Sequence, residues 1–249
     1  MTQTAVANKE RVQERRKEAG AGNPLLATWN SVIGKKIVMA VTGAVLVLFV
    51  LAHMAGNLKI FAGAETINAY SRSLREMAMP ELGYGQLLWI VRIVLLACAG
   101  LHIIAAYQLT ILNRKARPIG YDTKKDVETT IGAITMRWSG VLVLLFLVFH
   151  IMHFTLGVVG FQPGQFVHLA VYQNVVAGFS IWPVAVFYII AMAALCLHLD
   201  HGIWSGLQTL GWSTTENAGT LRTISRLIAL IVFIGFILTP VSVMAGWIR

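Results

Sequence analysis

The stretch IVMAVTGAVLVLFVLAHMAGNL, residues Ile37–Leu58, decides the fold class. It carries a single ionisable side chain, His53, and as a helix it is long enough to cross the ~30 Å hydrocarbon core of a bilayer. Comparable apolar stretches occur four more times, at Leu87–Leu112, Trp138–Val159, Ile181–His201 and Leu227–Ile248. The sequence therefore predicts an all-α integral membrane bundle of five transmembrane helices.

Composition agrees with this interpretation. Of the 249 residues, 57% are hydrophobic and only 12% are charged, whereas a soluble domain carries about 25% charged residues. These values exclude a disordered chain, a disulfide scaffold and a collagen-like fibre. A membrane β-barrel would show shorter segments of alternating polarity.

The distribution of basic residues predicts the orientation of the bundle in the membrane. Most of them lie in the N-terminal segment and in the second loop, and the third loop has none. The fourth loop adds Arg222 and Arg226, and the first loop has only Lys59, Arg72 and Arg75. The positive-inside rule then places the N-terminus inside and the C-terminus outside. We expect residues 1–30 to form a basic tail on the inner face and residues 31–249 to form the membrane domain. Because the charges are scattered over separate loops, nucleic acid is not an expected partner.

Histidines inside the predicted spans indicate the chemistry, since ionisable side chains in lipid are costly and usually functional. At a rise of about 1.5 Å per residue, His53 and His150 lie toward the outer side, and His102 and His198 lie toward the inner side. Two pairs at two depths fit bis-histidine ligation of two haem b groups in a helix bundle. His153 and His201 are rivals on the third and fourth helices. The remaining histidine, His168, lies in the third loop.

Several motifs, in order along the chain, resemble the cytochrome b membrane anchor of succinate:quinone oxidoreductases, in the five-helix, single-chain type with two haems. Fumarate reductases of related build belong to the same group. The similarity lies in Ser31-Val-Ile-Gly-Lys-Lys36 with His53-Met-Ala-Gly-Asn-Leu58, in Leu101-His102 with Ala105-Ala-Tyr-Gln-Leu109, in Met136-Arg-Trp-Ser-Gly140 with Phe149-His150, and in Leu197-His198-Leu-Asp-His201-Gly-Ile-Trp-Ser205.

The resemblance implies axial haem ligands on the first four helices, which are His53, His102, His150 and His198. His150 is preferred to His153 because the family's ligand follows an aromatic or apolar run. His198 is preferred to His201 because the family's ligand stands four residues before a glycine, here Gly202. His153 and His201 are then expected to lie beside the haems, as hydrogen-bonding groups that do not bind iron.

Other polar residues are candidates for contacts with haem or quinone. Arg92 either extends toward the outer surface or pairs with a propionate of the outer haem. A quinone needs hydrogen-bond partners for its two carbonyls near a haem edge. The candidates are, on the outer side, Tyr70, Arg75 and Glu76, and on the inner side, Ser31 and Lys35.

The chain has no dinucleotide-binding fingerprint and no cysteine set for an iron–sulfur cluster. The resemblance therefore implies that it passes electrons between quinone, either menaquinone or ubiquinone, and two partners on the inner face: a flavoprotein and an iron–sulfur subunit. Such a respiratory complex II belongs in the bacterial cytoplasmic membrane, where it serves the tricarboxylic acid cycle, and higher oligomers of it are possible. The alternatives are a cytochrome b subunit of another quinone-linked complex, a haem-free anchor and a small transporter.

Overall fold

A computed structural model describes residues 28–116 and 131–249, with side chains from residue 135 onward in the second range. Within these ranges every regular element is helical. The elements are α1 (Val32–Asn57) with a 3₁₀ turn (Leu58–Ala62), α2 (Ala64–Glu76), α3 (Gln86–Lys115), α4 (Ile131–His150) with a π-helical turn (Ile151–Thr155), α5 (Val171–Phe179), α6 (Trp182–Thr209) and α7 (Ala218–Met244).

Five helical segments in the described ranges are long and apolar enough to cross a membrane, which confirms the predicted fold class. They are Val32–Ala62, Gln86–Lys115, Thr135–Thr155, Trp182–Thr209 and Ala218–Met244. The protein is therefore a multi-pass membrane protein. Most of the predicted basic tail, and Arg117, Lys124 and Lys125 of the second loop, lie outside the described residues.

The last spanning helix begins at Ala218, nine residues before the predicted start at Leu227. Its polar first turns are satisfied locally: Arg222 forms an ion pair with Asp200, and Ser225 donates to the Leu221 carbonyl at 2.9 Å. Because these side chains have partners, the helix continues through a polar stretch that hydropathy alone assigns to a loop.

Four of the spanning helices follow one another in space in the order α3, α1, α6, α4, and α7 covers the seam between α1 and α6. We call the end of the bundle where α1 begins the near end, and the opposite end the far end. The short helices α2 and α5 both lie at the far end. The side-chain oxygen of Asn68 on α2 accepts a hydrogen bond from the backbone N–H of Tyr172 on α5 at 3.1 Å, which joins the two.

Two apolar cores hold this arrangement. One lies between α1, α6 and α7, and it contains Met54, Leu199, Ala229 and Val232. The other closes the far end and contains Ile60, Ile67, Val175, Phe179, Ala185, Tyr188, Val243 and Ile248. Large apolar side chains such as Trp89, Ile93 and Leu96 on α3 are exposed. In a membrane protein, such side chains face lipid or a neighbouring group and not water.

Candidate haem sites

Four histidines of the spanning helices meet in two pairs. The near pair consists of His102 on α3 and His198 on α6, whose ring centroids lie 6.3 Å apart at an interplanar angle of 62°. The far pair consists of His53 on α1 and His150 on α4, with centroids 5.9 Å apart at an angle of 84°. The structure thus brings together the same two pairs of histidines that lie at similar depths along the predicted helices.

The helices that supply each pair are not close neighbours. Neither α3 with α6 nor α1 with α4 forms an extensive backbone contact in the described part of the chain. The imidazoles therefore reach toward each other across a gap between helices. A gap of this kind is what a flat ligand held from both faces requires.

His102 is held with one particular nitrogen turned away from its partner. Its Nδ1 lies 3.0 Å from the carbonyl oxygen of Met39 and 3.4 Å from Oγ1 of Thr42, both on α1. Because a carbonyl oxygen only accepts, Nδ1 must carry the proton. The lone pair of Nε2 is then free to bind a metal, as in histidine ligands whose other nitrogen donates to a carbonyl.

A glycine lies against each ring of the near pair. A Cβ added at Gly43 on α1 would meet Cε1 of His102 at 3.2 Å, and one added at Gly140 on α4 would meet Cε1 of His198 at 3.4 Å. In both cases the Nδ1 of the same ring is the next atom. Both imidazoles therefore turn the edge between Nδ1 and Cε1 toward a neighbouring helix.

His153, the rival on the third spanning helix, is completely buried in the π-helical turn. Its Nδ1 lies 2.9 Å from the hydroxyl oxygen of Tyr188 on α6, and the same hydroxyl lies 3.2 Å from Nδ1 of His150. Gly160 and Gly178 enclose its other nitrogen so closely that a Cβ at either position would come within 2.9 and 2.6 Å of Nε2. Nδ1 of His153 is engaged by Tyr188 and its Nε2 faces two glycines, whereas the ring of His150 faces His53 on α1, so the geometry favours His150.

His201, the rival on the fourth spanning helix, lies one turn beyond His198 and forms no ring contact with another histidine among the described residues. Its neighbour Asp200 accepts a hydrogen bond from Arg222 on α7 at 2.7 Å. The ring of His198 is the one that faces His102. The geometry therefore favours His198 as the member of the near pair.

The remaining candidates at the near end support local structure. Ser31 caps α1, since its hydroxyl accepts from the backbone N–H of Gly34 at 2.8 Å. Lys35 is buried, and its Nζ donates to the carbonyl of Trp29 at 2.5 Å and lies 5.5 Å from the centre of the Trp29 ring. In this conformation both side chains are engaged within the start of α1.

At the far end, Arg92 stacks on Trp89 of the same helix, 4.9 Å from the ring centre. The three other candidates, Tyr70, Arg75 and Glu76, all lie on α2. Tyr70 packs against Gly56, one turn beyond His53, where an added Cβ would meet the Tyr70 hydroxyl at 2.9 Å. Nη1 of Arg75 donates to the hydroxyl of Ser71 at 2.7 Å. Tyr70 therefore contacts α1 one turn beyond His53.

Sequence reasoning missed a groove at the near end, between the start of α1 and the end of α6. It has a volume of about 440 Å³ and is lined by Ile33, Lys36, Ser205, Gln208 and Thr209. The polar lining comes from loop-proximal residues of common types, so the sequence carries no signal for it.

A signal for the pairing does exist in the sequence, as an internal repeat. Residues 37–53 match residues 134–150 at a constant offset, with identities at Ile37/Ile134, Met39/Met136, Gly43/Gly140, Leu48/Leu145, Phe49/Phe146 and His53/His150. An offset shorter by one residue relates α3 to α6, with identities at Ile93/Ile189, Ala97/Ala193, Leu101/Leu197 and His102/His198. The contacts repeat too, because Phe49 and Phe146 each pack on the histidine four residues later. Each pair thus joins corresponding residues of two similar halves.

The residues present fit haem. Two imidazoles that bind one metal from opposite sides, each at a metal–nitrogen distance of about 2 Å, bring their ring centroids to about 6 Å from each other. Both observed pairs have this separation. The described residues contain no group of three or more His, Cys, Asp or Glu side chains placed to hold a metal ion. Axial ligation of haem requires only two such side chains.

Comparisons with family models, with curated proteins and with solved structures find no match to this chain. In the ranges that the structure describes, the fold and the site define a membrane bundle of five spanning helices that encloses two pairs of facing histidines.

Proposed function

We propose that this chain is the haem b-binding membrane anchor subunit of a succinate:quinone oxidoreductase, or of a fumarate reductase of related build. The observation that carries the proposal is the presence of two histidine pairs. In each pair the ring centroids lie about 6 Å apart, and the two rings come from helices that do not pack together. The sequence motifs around these histidines, which resemble those of the family, support the particular complex.

The chain's own contribution is to hold and insulate two redox sites. Met39 fixes the tautomer of His102, and Gly43 and Gly140 leave room for the rings of the near pair. His53 lies ten residues beyond Gly43 on α1, so the two sites are separated by about 15 Å along the bundle. When bound there, haem b supplies one-electron transfer at potentials that its axial ligands and their hydrogen bonds tune.

The partners in this proposal are a flavoprotein and an iron–sulfur subunit that dock at the near end, taken as the inner side of a bacterial cytoplasmic membrane. The described basic residues gathered at that end support this location; they are Lys36, Arg114, Lys115, Arg137, Arg222 and Arg226. Haem held by His102 with His198 and by His53 with His150 would carry electrons between the iron–sulfur subunit and quinone, in either direction. Dicarboxylate chemistry stays with the partners.

A pyridine haemochrome assay on the purified chain tests the haem part of the proposal. We expect two b-type haems per chain, and a value of one or none overturns this expectation. A chain with no haem would instead support the haem-free anchor or the transporter.

Purification of the native complex in mild detergent tests the choice of complex. We expect a flavoprotein and an iron–sulfur protein to co-purify and the preparation to reduce quinone with succinate. If the catalytic subunits of a hydrogenase or a formate dehydrogenase co-purify instead, the chain is the cytochrome b of that complex.

A further inference from the structure

We propose that Tyr188 is a positioning residue of the far pair. Its hydroxyl oxygen accepts a hydrogen bond from Nδ1–H of His150, and its O–H donates a hydrogen bond to Nδ1 of His153. The lone pair of Nε2 on His150 is thereby left free for iron. The inference rests on the proposed function, since it assigns Tyr188 a role toward the far haem.

Two distances indicate which group donates and which accepts in this row of hydrogen bonds. The hydroxyl lies 2.9 Å from Nδ1 of His153 and 3.2 Å from Nδ1 of His150. A phenol has only one proton, so it donates to one ring and accepts from the other. The shorter distance suits O–H donation, which is typically closer than N–H donation. From this difference we infer that Tyr188 donates to His153 and that His150 donates to Tyr188, an assignment that the tautomer measurement described below tests.

His153 serves as the fixed end of this chain of hydrogen bonds. It is 0% exposed, and Tyr188 is 6% exposed. Its ring lies against Gly160 and Gly178, where an added Cβ would come within 2.9 and 2.6 Å of Nε2, and it stacks on Phe154 at a centroid separation of 4.0 Å. An acceptor packed in this way holds the Tyr188 hydroxyl in one orientation, and this orientation selects one tautomer of His150.

The internal repeat shows that this arrangement belongs to the second half alone. The position that corresponds to Tyr188 in the first half is Arg92, and the position that corresponds to His153 is Gly56. Arg92 stacks on Trp89, and no hydrogen bond to the ring of His53 is found within the described residues. The two residues are therefore specific to the environment of His150 and are not simply part of the shared scaffold.

The ring of Tyr188 is held independently of its hydroxyl. It packs edge-on against Phe146 and Phe179, with centroid separations of 5.0 and 4.9 Å. Tyr188→Phe therefore removes the hydroxyl and leaves the packing in place. Tyr172→Phe is a matched control, because the Tyr172 hydroxyl donates to the carbonyl of Arg249 at the far-end surface, away from the histidines.

The experiment is a redox titration with low-temperature EPR on the native complex of the wild type and both variants. The far component is defined as the one lost in His150→Ala. We expect Tyr188→Phe to retain both haems, to shift the midpoint potential and the low-spin signal of the far component, and to leave the near component unchanged. Tyr172→Phe should match the wild type. If Tyr188→Phe changes neither component, or changes both equally, the proposal is overturned.

A second measurement needs no haem. In the haem-free full-length chain with ¹⁵N-labelled histidine, we expect the His150 ring to carry its proton on Nδ1, and Tyr188→Phe to abolish this fixed tautomer. A His150 ring protonated on Nε2 in the wild type would overturn the proposal. A wild type that never binds haem would count against the proposed function alone, because the tautomer is still read from this experiment.

Discussion

Arg222 on α7 donates two hydrogen bonds to Asp200 on α6, one to the carboxylate Oδ2 at 2.7 Å and one to the backbone carbonyl at 3.1 Å. Asp200 follows His198 by two residues, so this contact joins α7 to the segment that carries the near pair. The side chains of both partners are mostly buried, with exposures of 17% and 16%. A carboxylate that is buried to this extent requires an oppositely charged partner.

Loss of this ion pair should destabilise the bundle. We expect Arg222→Gln to cost about 1–3 kcal/mol, between the value of an exposed pair and that of a fully buried one. Thermal unfolding in detergent measures the change. Arg226→Gln is the control, since Arg226 is 61% exposed and lies 4.0 Å from the same carboxylate; an equal loss in both variants would contradict a specific role for Arg222.

Single ligand substitutions should sort the four histidines into the two observed pairs. We expect His102→Ala and His198→Ala to remove the same spectral component, and His53→Ala and His150→Ala to remove the other, because the proposed function has each pair share one iron. His153→Ala and His201→Ala should shift potentials without removing a haem. Redox titration of the six variants gives the answer. Loss of one common component in His53→Ala and His102→Ala would contradict the pairing.

Bulk at either near-pair glycine should remove the near haem only. Side-chain atoms beyond Cβ in Gly43→Val and Gly140→Val would strike the rings of His102 and His198, which come within 3.4 Å of the added Cβ. We expect the haem content to fall by half in each variant. Gly100→Val is the matched control, because nothing lies within 4 Å of its added Cβ. Retention of both haems in Gly43→Val would be the contrary result.

The seam between α1 and α7 should resist added volume. Gly235 on α7 lies directly against the thioether of Met54, so an added Cβ would overlap Sδ and meet Cγ at 2.7 Å. Overpacking of a filled core costs about 1–3 kcal/mol, and we expect this loss for Gly235→Leu in thermal unfolding. Gly219→Leu, on the same helix with open space around it, tests the effect of the residue type alone. Equal losses of stability in Gly235→Leu and Gly219→Leu would contradict a specific effect of overpacking at the seam.

The fold was predictable because the bilayer sets the length of an apolar helix, and residues such as Ile37–Leu58 satisfy that length. The depth of each histidine followed from the same rise per residue. The pairing of His53 with His150 and of His102 with His198 could therefore be predicted from these depths. The internal repeat indicates the same pairing independently.

The surroundings of the histidines were not predictable from local sequence. Tyr188 lies on a different helix from His150 and His153, and only the packing of α4 against α6 brings its hydroxyl between them. The early start of α7 likewise depends on Asp200, a partner from another helix. Contacts of this kind are decided by tertiary structure, which no periodicity along the chain encodes.

The two pairs differ in how open they are to change by point mutation. The group that holds His102 is a main-chain carbonyl, which every substitution at Met39 leaves in place. The group that holds His150 is a side chain, which a single substitution at Tyr188 removes. Over generations, the surroundings of His150 can thus change through single substitutions, while the contact that holds His102 stays tied to the course of a helix.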